Sequence, residues 1–350
     1  MNSRRTKGNR IAWLTVVLLL LVSSSAYAQS NEEIKNESQE EETYDNFFTI
    51  VFENDSIGSG TDQNYTNGVR FTYFNVNATF PDIAHTIADK VPTFDINDSS
   101  SVYYSFGQNL YTPDDISAIE QAPNDRPWAA FLYVSIGMAT KTGNHIDELE
   151  TTIGVVGPLA LGEQVQTVVH KHVTSSPLPN GWDNQLENEP GLILSWQRRW
   201  LVEPIFETKK LNLTVSPYLG ISLGNVYTYG STGFTFRLSS EKSKWNDTPL
   251  RVRPALPGSG YFDESKSGWG WTVFGGIEGR AVARNIFLDG STFVNSHSVT
   301  KFPIVGDANI GIALNVKRVR LSYTLVLRSK EFKTQDRSDL FGAVTLAYRF

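Results

Sequence analysis

The amino-acid sequence predicts an all-β protein: a transmembrane antiparallel β-barrel of about twelve strands, with a short helix in an extracellular loop. Three observations lead to this prediction. The chain opens with an export signal, most of its strand candidates are ten or more residues long, and the last of them ends in an aromatic residue. A soluble β-sandwich is the alternative, because its strands also alternate, but the three observations together favour the barrel.

The export signal is expected over residues 1–28. Four basic residues precede the apolar stretch Ile11–Val22, which is shorter than a bilayer-spanning helix requires. The small residues Ala26 and Ala28 form the A-x-A arrangement of a cleavage site, so cleavage is predicted after Ala28. A retained N-terminal anchor is the alternative. An acidic, aromatic-poor lead-in, predicted to be disordered, then covers residues 29–45, and the barrel with a rim active site is expected over 46–350.

Composition narrows the class of protein and its location. The sequence has no cysteine, which excludes disulfides, cysteine-bound zinc and thiol catalysis. Its formal net charge of −6 argues against nucleic acid as a partner. No long apolar run remains after the signal, so no transmembrane helix is expected. Export without cysteine is typical of a Gram-negative envelope protein, here predicted to be a monomer in the outer membrane.

The strand candidates are long and rich in aromatic and β-branched residues. Their predicted bounds are Asn46–Asp55, Gly68–Asn77, Ser101–Tyr111, Trp128–Ala139, Glu148–Gly157, Gly191–Glu203, Leu211–Leu223, Val226–Leu238, Trp269–Ala283, Ala308–Val316, Val319–Ser329 and Asp339–Phe350. In the last, Val344, Leu346, Tyr348 and Phe350 alternate onto one face. The number of strands should be even because a bilayer accepts a sheet only when it is closed. The region Asn285–Val299 could hold part of another strand.

Counting strands also predicts which loops lie together. Bacterial barrels begin and end on the periplasmic side, so the loops after strands 1, 3 and 5 should be extracellular. These loops contain Asn54–Gly68, Tyr111–Pro127 and Pro158–Pro190. The connection Ala78–Ser100 is longer than expected for a periplasmic turn, which counts against the predicted register at that point.

The third of these loops contains "GEQVQTVVHKHV", a segment with helical periodicity. Gln166 and His170 are four residues apart and should project from one face of a helix. Four valines can then pack on the barrel wall or in lipid: Val165, Val168, Val169 and Val173. A lone histidine is more often structural than catalytic, but His170 is accompanied by further polar groups on the same rim.

Those polar groups come from the first of the loops. Asn54 and Asp55 end strand 1, and Thr66 precedes strand 2, where turn formation is the simplest interpretation. The same oxygen-rich groups suit a hard cation such as Ca²⁺. Since the spacing matches no EF-hand, the cation is an inference only.

His170 is a potential general base at this rim, but the sequence shows no motif for a nucleophilic serine beside it. The sequence has no G-x-S-x-G and no serine elbow near His170, so a Ser–His phospholipase is disfavoured. Histidine can activate water near neutral pH, and a cation can hold a developing oxyanion. This combination describes ester hydrolysis. At the outer surface of an outer membrane, the available esters belong to lipopolysaccharide and phospholipids.

At these residues the sequence resembles the outer-membrane lipid A 3'-O-deacylases of the LpxR type. The resemblance is good over roughly residues 46–200. It rests on the segments "ENDS", "DQNYTNG", "GQNLYTPDD", "DRPWAAFLY", "GVVGPLALGEQVQTVVHKHV" and "GWDNQLENEPG". It implies a twelve-stranded barrel with its active site at the outer rim, between the wall and a loop helix. It also implies Ca²⁺-dependent release of a 3'-linked acyl chain from the lipid A of lipopolysaccharide.

The resemblance implies roles for individual residues. His170 would be the base that activates water, and Gln166 its neighbour on the helix. Asn54 and Thr66 would be polar partners, and Asp55 would hold the metal or orient the site. The segment "DDISAIEQAPN" departs from the family, because a basic stretch with a lysine is expected there and this chain has acidic residues. A non-enzymatic transport or structural barrel is the alternative function.

Overall fold

The structure, a computed structural model, describes residues 46–350 except 59–63, 77, 91–93, 175–176, 203, 209–210, 241–246, 253–258 and 266. The predicted signal peptide (1–28) and acidic lead-in (29–45) lie outside the described residues and stay predictions. Twelve long strands are numbered in chain order: β1 Asn46–Asn54, β2 Asn64–Asn75, β3 Ser101–Thr112, β4 Ala129–Thr142, β5 His145–Val156, β6 Glu189–Trp200, β7 Asn212–Gly224, β8 Tyr227–Ser239, β9 Trp269–Asn285, β10 Ile304–Val316, β11 Val319–Arg328 and β12 Asp339–Arg349.

These strands form one closed antiparallel barrel. Each strand pairs with its neighbours in the chain, β6 pairs with β7, and β1 closes the sheet by pairing with β12. The closing register runs from Phe47 opposite Arg349 to Asn54 opposite Gly342. The twelve predicted strands and their even number are thus confirmed. A two-residue strand, Phe206–Glu207, pairs alongside the start of β7.

The remaining elements are short. The helices are α1 Asp55–Gly58, α2 Asp82–Ala88, α3 Gly162–Val169, which continues as a π-helical turn over His170–Thr174, and α4 Ile286–Asp289; 3₁₀ turns cover Pro158–Ala160 and Trp182–Asn184. The predicted loop helix is present as α3. None of the helices among the described residues is both long and apolar enough to cross a bilayer.

Two regions that looked irregular in the sequence have simple explanations. The long connection after β2 contains α2, which takes up its length, so the predicted register of β2 and β3 stands. Residues 286–299, all described, hold α4 and no further strand. β10 begins at Ile304, four residues before the predicted start, because it extends along the long strand β9 as far as Ala281.

Alternation of side chains defines an inner and an outer face of the wall. In β1, Phe47, Val51 and Glu53 face inward and are fully buried, whereas Phe48 faces outward. In β12, the four residues predicted to share a face are partly or largely exposed and alternate with buried neighbours. The outer face carries large exposed apolar side chains, among them Tyr104, Phe106, Val134 and Ile136. This is the pattern that hydrocarbon requires.

The connection between β8 and β9 folds into the barrel. Its residues Leu250, Val252 and Phe262 are buried, and Leu250 and Val252 join the apolar cluster that contains Val51 of β1. Arg251 Nε lies 2.7 Å from Glu53 Oε1, and the backbone N–H of Val252 donates to the same oxygen at 3.1 Å. The sequence alone left open whether the lumen was empty or filled, and the described residues of this connection lie within it.

Asp247 fixes the start of this connection. Its carboxylate accepts hydrogen bonds from both terminal nitrogens of Arg199 on β6 and from the backbone and hydroxyl of Ser259. Both members of the ion pair are buried. The pair therefore ties the connection to the wall, and loss of one charge would leave the other buried without compensation.

We predict that Asp247→Asn lowers the free energy of unfolding by about 3–5 kcal/mol, because the buried Arg199 loses its counter-ion. Urea unfolding in detergent, followed by tryptophan fluorescence, measures this loss. Glu264→Gln is the matched control: it lies in the same connection but pairs with Arg318 at the surface, so its effect should stay below about 1 kcal/mol. Equal effects for the two variants would contradict the anchoring role of Asp247.

Candidate active site at the loop rim

One rim of the barrel collects most of the polar residues singled out in the sequence. We call it the loop rim; it is formed by the ends of β1, β3 and β5 and the starts of β2, β4 and β6. Asn54, the last residue of β1, continues the outward-facing set of Phe48 and Phe52. Its side chain is nevertheless buried, and its Nδ2 donates to the backbone oxygen of Thr66 at 2.8 Å.

A β-bulge next to Asn54 redirects the start of β2. The pairing of β2 with β3 skips Thr66, between Tyr65 and Asn67. Tyr65 packs inside the barrel against Tyr111, whereas Thr66 Oγ1 lies 2.6 Å from Thr112 Oγ1. Bulges commonly re-aim side chains beside functional sites. Here the bulge lets Thr66 contact Thr112 on the outer face, the same face on which Asn67 lies opposite Asn54.

Asp55 starts α1 directly after the strand and is buried. The backbone N–H of Ser56 donates to Asn54 Oδ1 and to Asp55 Oδ1, at 2.8 Å in both cases. The amide and carboxylate oxygens therefore face the same donor. The structure thus brings Asn54, Asp55 and Thr66 into one cluster at the loop rim.

Helix α3 packs on the outer face of the wall rather than over the lumen. An apolar cluster joins the helix region to β3, β4 and the following loop; it contains Leu110, Ile116, Trp128, Ala130, Ala160 and Trp182. Gly162 at the helix start is required by this packing, since a Cβ there would lie 2.6 Å from Ala130 Cβ and 2.5 Å from the Trp182 ring. Gln108 of β3 donates to Ala160 O at 2.6 Å and fixes the turn before the helix.

Gln166 and His170 lie on the buried side of this helix, with 2% and 3% of their surfaces exposed. The backbone N–H of His170 donates to Gln166 O, so the two side chains share a face. Trp182 Nε1 donates to Gln166 Oε1 at 2.8 Å. Of the valines, Val165 packs against the wall cluster and Val168 is exposed; the side chain of Val173 lies outside the described residues.

A backbone carbonyl sets the tautomer of His170. His170 Nδ1 lies 2.6 Å from Pro177 O, which can only accept a hydrogen bond. The proton therefore sits on Nδ1, and the neutral ring carries its lone pair on Nε2, as a general base requires. His170 also stands where the α-helix changes to a π-helical turn, a deviation that is frequent at functional sites.

Strand β3 contacts both the turn before α3, the helix that carries Gln166, and the cluster of Asn54, Asp55 and Thr66. Thr112 at the end of β3 contacts Thr66, and Gln108 in the same strand holds the turn before α3. All five site residues predicted from the sequence are thus buried at the loop rim.

The acidic segment that departs from the family pattern also lies at this rim. Ile116 O accepts from the backbone N–H of Asn180, and Ile119 O accepts from Asn184 Nδ2, so the segment packs against the turn that carries Trp182. Burial, together with nearby carboxylates, raises the pKa of Asp114, whereas hydrogen bonds from Ser117 lower the pKa of Asp115. The position where the family pattern suggests cations is therefore occupied by carboxyl groups.

The oxygens beside Asp55 are of the types that a hard cation accepts as ligands. No group of three or more histidine and acidic side chains in the described part of the chain is arranged to hold a metal. The donors beside Asp55 are neutral oxygens, Asn54 Oδ1 and the carbonyl of Thr66. One carboxylate with amide and carbonyl oxygens belongs to the donor types that Ca²⁺ uses.

Sequence reasoning missed the residues that support this site. Thr112, Pro177 and Trp182 each contact a predicted site residue. Thr112 and Trp182 belong to segments that carry the family resemblance but are far in the chain from the residues they contact, and Pro177 lies outside those segments. The bulge at Thr66 also left no sequence signal. One signal existed: the polar residues Gln108 and Thr112 alternate on the outward face of β3, where lipid-facing residues should be apolar.

These features define a class: a closed barrel of the outer-membrane type whose outer wall bears a buried polar cluster under a loop helix. The family model of outer membrane protein LpxR matches residues 14–350, so the chain belongs to the LpxR family of outer-membrane proteins. No curated protein matches this sequence.

Among solved structures, LpxR from Salmonella typhimurium matches with a TM-score of 0.69 and 21% sequence identity, covering 87% of this chain and 100% of that one. The β domain of the Bordetella autotransporter BrkA matches with a TM-score of 0.40 and 9% identity, covering 87% of this chain and 98% of that one. The first comparison shows the same barrel fold, and the family resemblance seen in the sequence is confirmed.

We predict that Trp182→Phe destabilises the protein by about 1–3 kcal/mol, because buried Gln166 loses the donor to its Oε1. Trp196→Phe is the matched control, since Trp196 Nε1 has no hydrogen-bond partner among the described residues. Urea unfolding compares the two variants. A loss for Trp196→Phe as large as for Trp182→Phe would contradict the role of the Trp182–Gln166 hydrogen bond.

Proposed function

We propose that this protein is an outer-membrane esterase that hydrolyses the 3'-linked acyloxyacyl ester of lipid A with water activated by His170. Membership of the LpxR family supports this function. The observation that carries it is the buried polar cluster on the outer face of the wall, above rows of exposed apolar side chains. A soluble substrate would need no such position, whereas a lipid ester lies at this boundary between polar and apolar surroundings.

In the proposed reaction, His170 Nε2 takes a proton from water as the water oxygen bonds to the ester carbonyl carbon. The carbonyl π electrons move to its oxygen. When the carbonyl re-forms, the bond to the alcohol oxygen breaks, and that oxygen takes the proton from His170. The products are a free acyl acid and a hydroxyl on lipid A. The carbonyl of Pro177 keeps the ring in the required tautomer throughout.

Three groups would hold a calcium ion in this proposal: the carboxylate of Asp55, Asn54 Oδ1 and the carbonyl of Thr66. Bound there, the cation would supply positive charge to the developing oxyanion. Gln166 keeps its orientation through Trp182 and holds the polar face of the helix toward the wall.

The alternative, a transport barrel, gains no support from the lumen. Described residues of the connection between β8 and β9 lie in it, where Arg251 pairs with Glu53 and Asp247 with Arg199. The absence of a serine elbow continues to disfavour a Ser–His phospholipase. The acidic segment Asp114–Asn124 indicates, under this proposal, a glycolipid with fewer phosphates than the family pattern suggests, because carboxylates repel phosphate.

We predict that His170→Ala lowers release of the 3'-linked acyl chain by about 10²–10⁴-fold, the contribution of a general base. Mass spectrometry of lipid A from cells that express each variant measures the release. His172→Ala is the control, because His172 lies on the same turn but is exposed. Unchanged lipid A in cells with the wild-type protein would remove the enzymatic proposal.

We also predict that activity needs calcium at about 10⁻⁴–10⁻³ M, the range of sites with few charged ligands. A chelator should abolish acyl release by the purified protein, and added calcium should restore it. Asp55→Asn should raise the calcium concentration needed for half-maximal activity. Full activity in the chelator would contradict the cation in this mechanism while leaving the role of His170 open to its own test.

A further inference from the structure

We propose that Asn67 is a further neutral oxygen ligand of the calcium ion at the loop rim, an inference that rests on the proposed function. Asn67 directly follows the bulge residue Thr66 and lies opposite Asn54. Its position, burial and unsatisfied oxygen assign it to the cluster of Asn54, Asp55 and Thr66.

Strand pairing places Asn67 beside that cluster. It lies directly opposite Asn54 in the register of β1 and β2 and opposite Leu110 in the register of β2 and β3. Directly opposed residues of an antiparallel pair share a face, with Cβ atoms about 4.5–5.5 Å apart. Leu110 belongs to the wall cluster that packs against α3, so Asn67 lies on the outer face, where it is buried.

The side chain of Asn67 is in a costly position unless it binds something. Only 5% of its surface is exposed, and its Oδ1 is buried with no hydrogen-bond partner among the described residues. Leaving a buried acceptor unsatisfied costs about 1–3 kcal/mol. A strand position facing lipid would normally be apolar. The amide oxygen of Asn67 can therefore accept a cation or a hydrogen-bond donor.

A cation explains this better than a donor on the substrate. The oxygens near Asn67 are a carboxylate at Asp55, an amide oxygen at Asn54 and the carbonyl of Thr66, which accepts from Asn54. Acceptor oxygens gathered in a buried place repel one another, and a hard cation relieves that repulsion by binding all of them. The bulge at Thr66 contributes by bringing the Thr66 carbonyl and Asn67 to the same side of Asn54.

The test is calcium binding to the purified full-length protein in detergent, measured by isothermal titration calorimetry and by the calcium-dependent shift of the melting temperature. We expect Asn67→Ala to weaken calcium binding about tenfold, since one ligand is lost, and Asn67→Asp to tighten it by adding a charge. Asn67→Asp has nearly the same shape as the wild type, which keeps the test valid if the alanine variant folds poorly.

Asn315→Ala is the matched control. Asn315 is buried to 4% exposure, and its Oδ1 also has no hydrogen-bond partner among the described residues, but it lies in β10 toward the opposite rim, across from Arg320. This variant should bind calcium as the wild type does. A wild type that binds calcium together with an unchanged affinity in both Asn67 variants would overturn the assignment of Asn67 alone. A wild type that does not bind calcium would overturn the calcium role itself, and Asn67 as a ligand with it.

Discussion

The closure of the sheet between β1 and β12 is the constraint on which the rest of the structure depends. A bilayer offers no partners for free backbone groups, so the sheet must be closed and its outer face must be apolar. The polar, outward-facing residues Asn54, Asn67, Gln108 and Thr112 break that rule. They are tolerated because all four are buried: Gln108 donates to the turn before α3, and Asn54 and Thr112 each hydrogen-bond to Thr66.

Three consecutive residues connect the interior of the barrel with this site. Glu53 faces inward and holds Arg251 and the backbone of Val252, whereas the next residue, Asn54, faces outward and holds Thr66. Asp55 then begins α1. The period of two in a strand makes this division unavoidable. The end of β1 is therefore fixed from both sides of the wall.

How much the sequence predicts depends on the distance over which each signal acts. The strands are predictable because alternation is local, and the Gln166–His170 pair is predictable because i and i+4 always share a helix face. The partners of these residues are not. Trp182 reaches Gln166 across sixteen residues, and Thr112 reaches Thr66 across forty-six. The position of the connection between β8 and β9 in the lumen involves buried ion pairs between residues far apart in the chain, Arg199 with Asp247 and Arg251 with Glu53.

The bulge at Thr66 shows how a single inserted residue changes which side chains face the outer side of the wall. In a regular strand, Thr66 and Asn67 would point to opposite faces, and one of them would enter the lumen. Tyr65 instead takes the inward position beside Tyr111, and Thr66 is freed to meet Thr112 on the outer side. Because of the bulge, two polar residues, Thr66 and Asn67, lie beside Asn54 on the outer side, and the pairing of β1 with β2 continues. A wall that must be apolar can in this way present several oxygens at one point of its rim.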